Sequence, residues 1–381
     1  MNILVLSTID NKGGAALVAW EIRKKMKSLG HTVNTFVRYK YSDEPDVFKI
    51  PRKRWQDWLV KLFANDLRFA RTGYIFRTKE YREADIIHCH NLHSNFFNLR
   101  DLKRMSREKK VIWTIHDLWA ITGFASDSAT RKNPNKKRFL FYLWDNTAHL
   151  LKIKEKIYSK CKLHLVAVSD WMKNELERSI LAKQNIRRIY NGVDTDIFRP
   201  YDKRVTRQEL GLPLNKKIVM FGLKGWLISR QIMESYVDNS DIFFLVIGND
   251  NIKTGSNRLS LPYTADKKLM AKYFGASDVF LYPTFGDSFG LVAAESQACG
   301  TPVVTTKIDA MPEIVKDRET GYIAKEHSVS ALKEGLEYIL NLPFDKYWEM
   351  SKRAKDNVDL NFSLEKMDRA YLDLYDNIIK R

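Results

Sequence analysis

The chain has 381 residues, 44% of them hydrophobic, more than one ordinary core absorbs, and this predicts two domains. Its formal net charge of +18 is confined to the first half: residues 1–200 carry 39 Lys and Arg against 21 Asp and Glu, whereas residues 201–381 carry 25 of each. Such a field attracts a polyanion or an anionic membrane surface to the N-terminal half, and the three widely separated cysteines, Cys89, Cys161 and Cys299, argue against a disulfide framework or a zinc site.

The opening apolar run, Asn2 to Ser7, is too short for a signal peptide, and no window of about 20 uncharged apolar residues follows, so a cytoplasmic protein is expected. That run reads as a strand, then Gly13 and Gly14 as a turn, then a helix up to Gly30. Further strands are predicted at Thr32 to Val37, Asp85 to His88, Lys110 to Ile115, Leu163 to Val168 and Arg187 to Tyr190, mostly with helical patterns between them. After a polar break at Asp196 to Asp202 the alternation restarts, with strands at Lys217 to Phe221, Phe243 to Gly248, Asp278 to Tyr282 and Thr301 to Thr305. Strand–helix alternation implies a parallel sheet in each half. A last helical pattern, Ser363 to Ile379, could pack on either domain.

Several segments could carry chemistry. Gly13 and Gly14 lack Cβ atoms and precede a helix, whose free N–H groups suit a phosphate, although a tight turn without a ligand would look the same. Between Phe285 and Gly300 a glycine-rich loop leads into a helix read from Gly290 to Gly300, with Asp287 before it and Glu295 inside it. A helix start can hold a diphosphate, and a carboxylate can accept from vicinal hydroxyls. The bland alternative is an acidic pair on a solvated helix end, which the apolar neighbours of Glu295 weaken. His116 follows a strand at the carboxyl edge of its sheet, where open α/β folds bind ligands; it could equally be a turn histidine bonded to Asp117. His88, His90 and His93 sit on a strand end and loop with no completing ligand set, so they are read as sheet-edge polar residues rather than a metal cluster. Trp55, Trp58, Leu59, Leu62, Phe63 and Leu67 recur at helical spacing among basic residues, and Arg131 to Trp144 is a second basic–aromatic run. Either could lie on a membrane or bury itself against the sheet.

Taken in order, the GGAA loop, ADIIHCH, TIHD, VSDWM, NGVDTDIFRP, ASDVFLYP and FGLVAAESQACGTPVV make the chain resemble glycosyltransferase family 4 over nearly its whole length. The resemblance implies an α/β GT-B fold: two Rossmann-like domains with parallel sheets facing across a cleft. Residues 1–196 plus 362–381 would form the acceptor domain and 197–361 the nucleotide-sugar domain. It implies that Glu295 holds the ribose hydroxyls and that Asp287 stands at the first position of the family's E-x7-E signature. The backbone of Phe289, Gly290 and Leu291 would face sugar and diphosphate, with Gly13 and Gly14 closing on the phosphate. His116 would lie near the reacting centre, and Lys224 would neutralise the leaving diphosphate. Two departures stand out. Asp287 replaces a glutamate, shortening its reach by about 1.5 Å, and the arginine expected before the Lys224-Gly225 pair is missing, with Arg230 as a possible substitute.

The activity so implied is retaining, metal-independent transfer of a sugar from a UDP- or GDP-linked donor to a saccharide or lipid-linked acceptor in polysaccharide, lipopolysaccharide or exopolysaccharide synthesis. Nucleic acid is not an expected partner, and a peripheral position on the inner face of the cell membrane is compatible with the charge. The rivals are a GT-B epimerase and a binding protein that has lost catalysis.

Overall fold

The structure is a computed structural model that describes residues 1–51, 54–63, 67, 70–123, 125–127, 147–249 and 254–380. It divides the chain into two compact units, Met1–Tyr190 with Asp368–Arg381, and Asn191–Met367.

The first unit is built on a seven-stranded sheet of β1 (Asn2–Ile9), β2 (Thr32–Tyr39), β3 (Val47–Lys49), β4 (Ile86–Cys89), β5 (Lys110–Ile115), β6 (His164–Ala167) and β7 (Asn185–Arg188), in the order β3-β2-β1-β4-β5-β6-β7. All its pairings are parallel. The central strands are covered on both faces, which is why they read as continuous apolar runs rather than alternating ones. Leu4, Ile87, Trp113 and Leu165 meet in one core beneath the helices.

The second unit repeats the plan with β8 (Lys217–Phe221), β9 (Ile242–Ile247), β10 (Arg258–Leu261), β11 (Val279–Tyr282), β12 (Val303–Thr306) and β13 (Gly321–Ala324), ordered β10-β9-β8-β11-β12-β13 and again all parallel. Its core gathers Val219, Phe244, Leu281 and Val304. In each sheet the order reverses once, between β1 and β4 and between β8 and β11. The loops leaving those two pairs of strands diverge at the carboxyl edge, opening a crevice that open α/β sheets use for ligands.

Strands β3, β10 and β13 are short, and no sequence pattern announced them. The helix read from Gly290 to Gly300 runs Leu291–Ala298, with Gly290 as its cap, and the last helix spans Leu364–Ile379. The distal half of that helix belongs to the first unit, and two tyrosines bind it there. Tyr375 Oη lies 2.7 Å from His88 Nδ1, and Tyr371 Oη lies 2.9 Å from Thr114 Oγ1, which is itself 2.8 Å from His88 Nε2. All four side chains are fully enclosed. His88 is therefore an interior hydrogen-bond hub and not a sheet-edge polar residue: its neighbours on β4 are apolar, and Tyr375 and Thr114 satisfy its two nitrogens.

Tyr375→Phe keeps the ring but leaves a buried imidazole nitrogen unpaired, so a loss of about 1–2 kcal/mol is expected in denaturant unfolding. An unchanged midpoint would show that the helix is held by packing alone.

Candidate functional site

In the second unit the crevice between β8 and β11 is spanned by one ion pair. β8 ends at Phe221, and the chain turns through Gly222–Gly225 into the helix Trp226–Glu234. Gly225 takes a left-handed conformation (φ 70°), and a Cβ on it would stand 2.1 Å from the carbonyl oxygen of Pro283. The two loops touch backbone to backbone there, which only glycine allows. Beside it the Lys224 ammonium reaches Asp287 Oδ2 at 2.5 Å.

Asp287 accepts four hydrogen bonds. Oδ2 takes Lys224 Nζ and the Tyr282 hydroxyl (2.6 Å); Oδ1 takes the backbone N–H groups of Phe289 (3.2 Å) and Gly290 (2.9 Å). Burial opposes its ionisation, but Lys224, the Tyr282 hydroxyl and the Phe289 N–H outweigh it and hold the carboxyl below its usual value. Its own N–H donates to Asp309 Oδ2 at 3.1 Å. The carboxylate thus shapes the loop that starts the helix Leu291–Ala298. Gly290 completes the turn at φ 92°, where a Cβ would collide with Met311 Cε.

Glu295, one turn inside that helix, presents the opposite situation. Its partly buried carboxyl makes no side-chain hydrogen bond among the described residues, and burial pushes it up to about 7, with Lys267 only partly countering. Two acidic side chains eight residues apart are thus held in different protonation regimes.

The first unit gathers histidines at its own crevice. His90 Nδ1 lies 2.9 Å from His116 Nε2, while His93 Nε2 pairs with Asp117 Oδ2 at 3.1 Å and its Nδ1 meets Ser94 Oγ at 2.8 Å. His116 accordingly bonds His90 and not Asp117, whose other oxygen caps the turn at Trp119 N. His90 is 1% exposed, which corrects its reading as a sheet-edge residue. Ser94 and Asn95 both have positive φ (70° and 55°), local strain beside the same crevice. Gly13, at φ 88°, caps the helix Gly14–Ser28, and nothing lies within 4 Å of a Cβ placed on Gly13 or Gly14. The backbone there is open to a ligand.

Two sequence candidates lie elsewhere. Arg230 pairs with Glu234 on an exposed helix face (2.7 Å), away from Lys224 and Asp287 in its contacts. The helix Arg54–Phe63 turns Trp55 and Trp58 outward, 47% and 62% exposed, while Gln56 is buried, so its tryptophans are not spent on the core. The run Arg131 to Trp144 lies outside the described residues. Elsewhere in the first unit a cavity of about 550 Å³ is lined by Arg100, Lys103, His149, Lys156 and Lys160 together with Ile153 and Ile157. Tyr282 and Asp309 were not singled out from sequence, and His90, His93 and Asp117 were considered there without their present pairings. Tyr282 read as a core strand residue, and no local pattern distinguishes a tyrosine whose hydroxyl has a partner.

Two family descriptions match the chain: Glycosyltransferase Family 4 over residues 12–197, and Glycosyl transferases group 1 over residues 233–357. The chain belongs to glycosyltransferase family 4. The D-inositol 3-phosphate glycosyltransferases of Mycobacterium tuberculosis and Mycobacterium bovis are 29% identical over 205 residues, covering 49% of this chain and 42% of theirs. The match therefore spans under half the length of these curated relatives. Among solved structures, sucrose-phosphate synthase from Thermosynechococcus elongatus superposes with a TM-score of 0.76 at 18% identity, over 99% of both chains. Anabaena HepE in complex with UDP gives 0.72 at 15%, over 99% of this chain and 100% of that one. WaaG, a glycosyltransferase involved in lipopolysaccharide biosynthesis, gives 0.69 at 15%, over 97% and 98%. At such identities the likeness speaks for the fold, and the fold is GT-B. No described helix of this family member is long and apolar enough to cross a membrane.

The raised Glu295 has a consequence for stability. Below pH about 4.5 the carboxyl is protonated whether the chain is folded or not; as pH climbs to about 7 the unfolded chain ionises first, so stability falls across that window, by up to about 3 kcal/mol. Glu295→Gln is expected to remove this slope in denaturant unfolding at pH 5 and pH 8 and to leave the variant the more stable at pH 8. An identical slope in both proteins would contradict the assignment.

Proposed function

We propose that the chain transfers a sugar from a nucleoside diphosphate donor to a hydroxyl acceptor. The observation that carries this reading is the β8–β11 crevice. It holds a cation, a helix start opened by Gly290, and a carboxyl with no hydrogen-bond partner among the described residues, the three groups a nucleotide sugar asks for. Lys224 and the first-turn N–H groups would take the diphosphate, and Glu295 the ribose hydroxyls. Asp287 would support the sugar end of the site. No resident cofactor is invoked; the UDP- or GDP-linked donor is a substrate.

In the reaction, the bond between the anomeric carbon and the leaving phosphate oxygen breaks as the acceptor oxygen bonds to that carbon from the same face. The acceptor proton passes to the departing phosphate, and configuration is retained. Lys224 and the helix start stabilise the charge growing on the diphosphate without a metal ion. Within the first unit, His116 and the open backbone at Gly13 and Gly14 are the groups offered to a ligand. The acceptor is a saccharide or a lipid-linked saccharide in the synthesis of a surface polysaccharide. The cations around the 550 Å³ cavity, which have no carboxylate partner among the described residues, and the outward tryptophans favour work at the cytoplasmic face of an anionic membrane.

Purified protein given a panel of UDP- and GDP-sugars with an acceptor extract is expected to release nucleoside diphosphate with turnover. Stoichiometric capture without release would instead identify a binding protein. Lys224→Ala is expected to lower kcat by about 10²-fold or more. Nucleoside diphosphate should bind more tightly as pH rises from 6 to 8, because ribose hydroxyls donate to ionised Glu295; Glu295→Gln should lose that dependence in calorimetric titration. Affinity independent of pH in the parent protein would remove Glu295 from the nucleotide site.

A further inference from the structure

The His90–His116 contact contains a choice of proton position that the surrounding packing decides. The rings stack with centroids 5.3 Å apart and 21° between planes, and His90 Nδ1 faces His116 Nε2 at 2.9 Å. His90 cannot readily turn away. The His88 ring lies 4.2 Å from it, and the Trp113 indole N–H holds its carbonyl at 2.7 Å.

Both imidazoles are neutral near pH 7. Burial pushes His116 down to about 4, with Asp117 opposing and His93 assisting, and it pushes His90 well below its usual value, with His88 and His116 assisting. A neutral imidazole carries one proton, so one ring donates and the other accepts. The deciding atom is His90 Nε2. It is buried with no hydrogen-bond partner among the described residues. If His116 donated, His90 would carry its proton on Nε2 and bury an N–H with no acceptor, one of the costlier defects of a protein interior. If His90 donates from Nδ1, its Nε2 is a bare lone pair, which costs less to leave unpaired.

We propose that His90 is a positioning residue that donates Nδ1–H to His116 Nε2 and so fixes the His116 proton on Nδ1, making His116 a hydrogen-bond donor to a ligand oxygen. His116 is partly exposed, and its Nδ1 has no partner among the described residues, so the donor is offered at the carboxyl edge of the sheet. The functional part rests on the reading of His116 as a ligand-facing residue of the proposed transferase; the proton position does not.

The test reads the two separately. In long-range ¹H–¹⁵N spectra of the full chain at neutral pH, His116 is expected to show a pyrrole-type Nδ1 and a pyridine-type Nε2; a proton on Nε2 overturns the proposal. His90→Asn places an amide N–H close to where Nδ1 stands, whereas His90→Ala supplies no donor. The Asn variant should keep the His116 tautomer and stay within about twofold in kcat. The Ala variant should shift His116 toward the Nε2–H form and lose about tenfold in kcat with little change in KM. Equal tautomers and equal rates in the two variants would overturn the proposal as well. If the Ala protein does not fold, the parent spectrum and the Asn variant still decide it. Absence of transfer activity in the parent protein, with the tautomer as expected, would refute the transferase reading and leave the proton assignment standing.

Discussion

The second unit depends on a single carboxylate. Asp287 stands where the sheet order reverses, and its two oxygens collect donors from the β8 loop, from β11 and from the turn before the helix Leu291–Ala298. A carboxylate has about four lone-pair sites, and all are occupied. A longer side chain at this position would not accept from Phe289 and Gly290 in the same turn geometry without moving the backbone, so the departure from glutamate fits a loop organised around aspartate. A ligand phosphate that recruits Lys224 would still leave Asp287 the Tyr282 hydroxyl and two backbone N–H groups. The charge exchange can therefore occur without stranding a buried anion.

Asp287 and Glu295 differ in partners more than in burial. One is ringed by donors and ionises easily; the other faces alanines on its helix and a distant lysine, and it holds its proton to about neutrality. The two groups suit different tasks for that reason. The low one is a permanent structural anion, whereas the high one gains most when a ligand brings hydroxyl donors to it. Environment divides the roles of two carboxyls in one loop–helix segment.

The strands at the sheet centres were legible because parallel strands buried on both faces are unbroken apolar runs, as at Val111 to Ile115 and Val219 to Phe221. β3 and β13 escaped because three or four residues, such as Val47 to Lys49, carry no period. Asp287 and Glu295 were legible through their spacing and Lys224 through the family resemblance, and the structure brings Lys224 and Asp287 into contact. Their partners were not. Tyr282 and the pairing of His90 with His116 depend on which strands become neighbours, and β11 meets β8 only after residues 222–278 have folded between them. The same is true of His88, whose tyrosines arrive 287 residues later in the chain. Local sequence records what a residue can do; the partner that decides what it does is supplied by topology.

The charge excess belongs to a different level of the structure than the crevices. At the first unit's carboxyl edge the candidate groups are neutral imidazoles and bare glycine backbone, while Arg100, Lys103, Lys156 and Lys160 lie on the helical layer with no carboxylate partner among the described residues. Their field extends only about 8–10 Å at physiological ionic strength, so it acts on what approaches the helices rather than on atoms at the sheet edge. Salt should therefore weaken the proposed attachment of the unit to an anionic surface while leaving hydrogen bonding among the histidines intact. That separation allows His90 and His116 to stay uncharged, and so cheap to bury, in a half of the chain that is otherwise strongly basic.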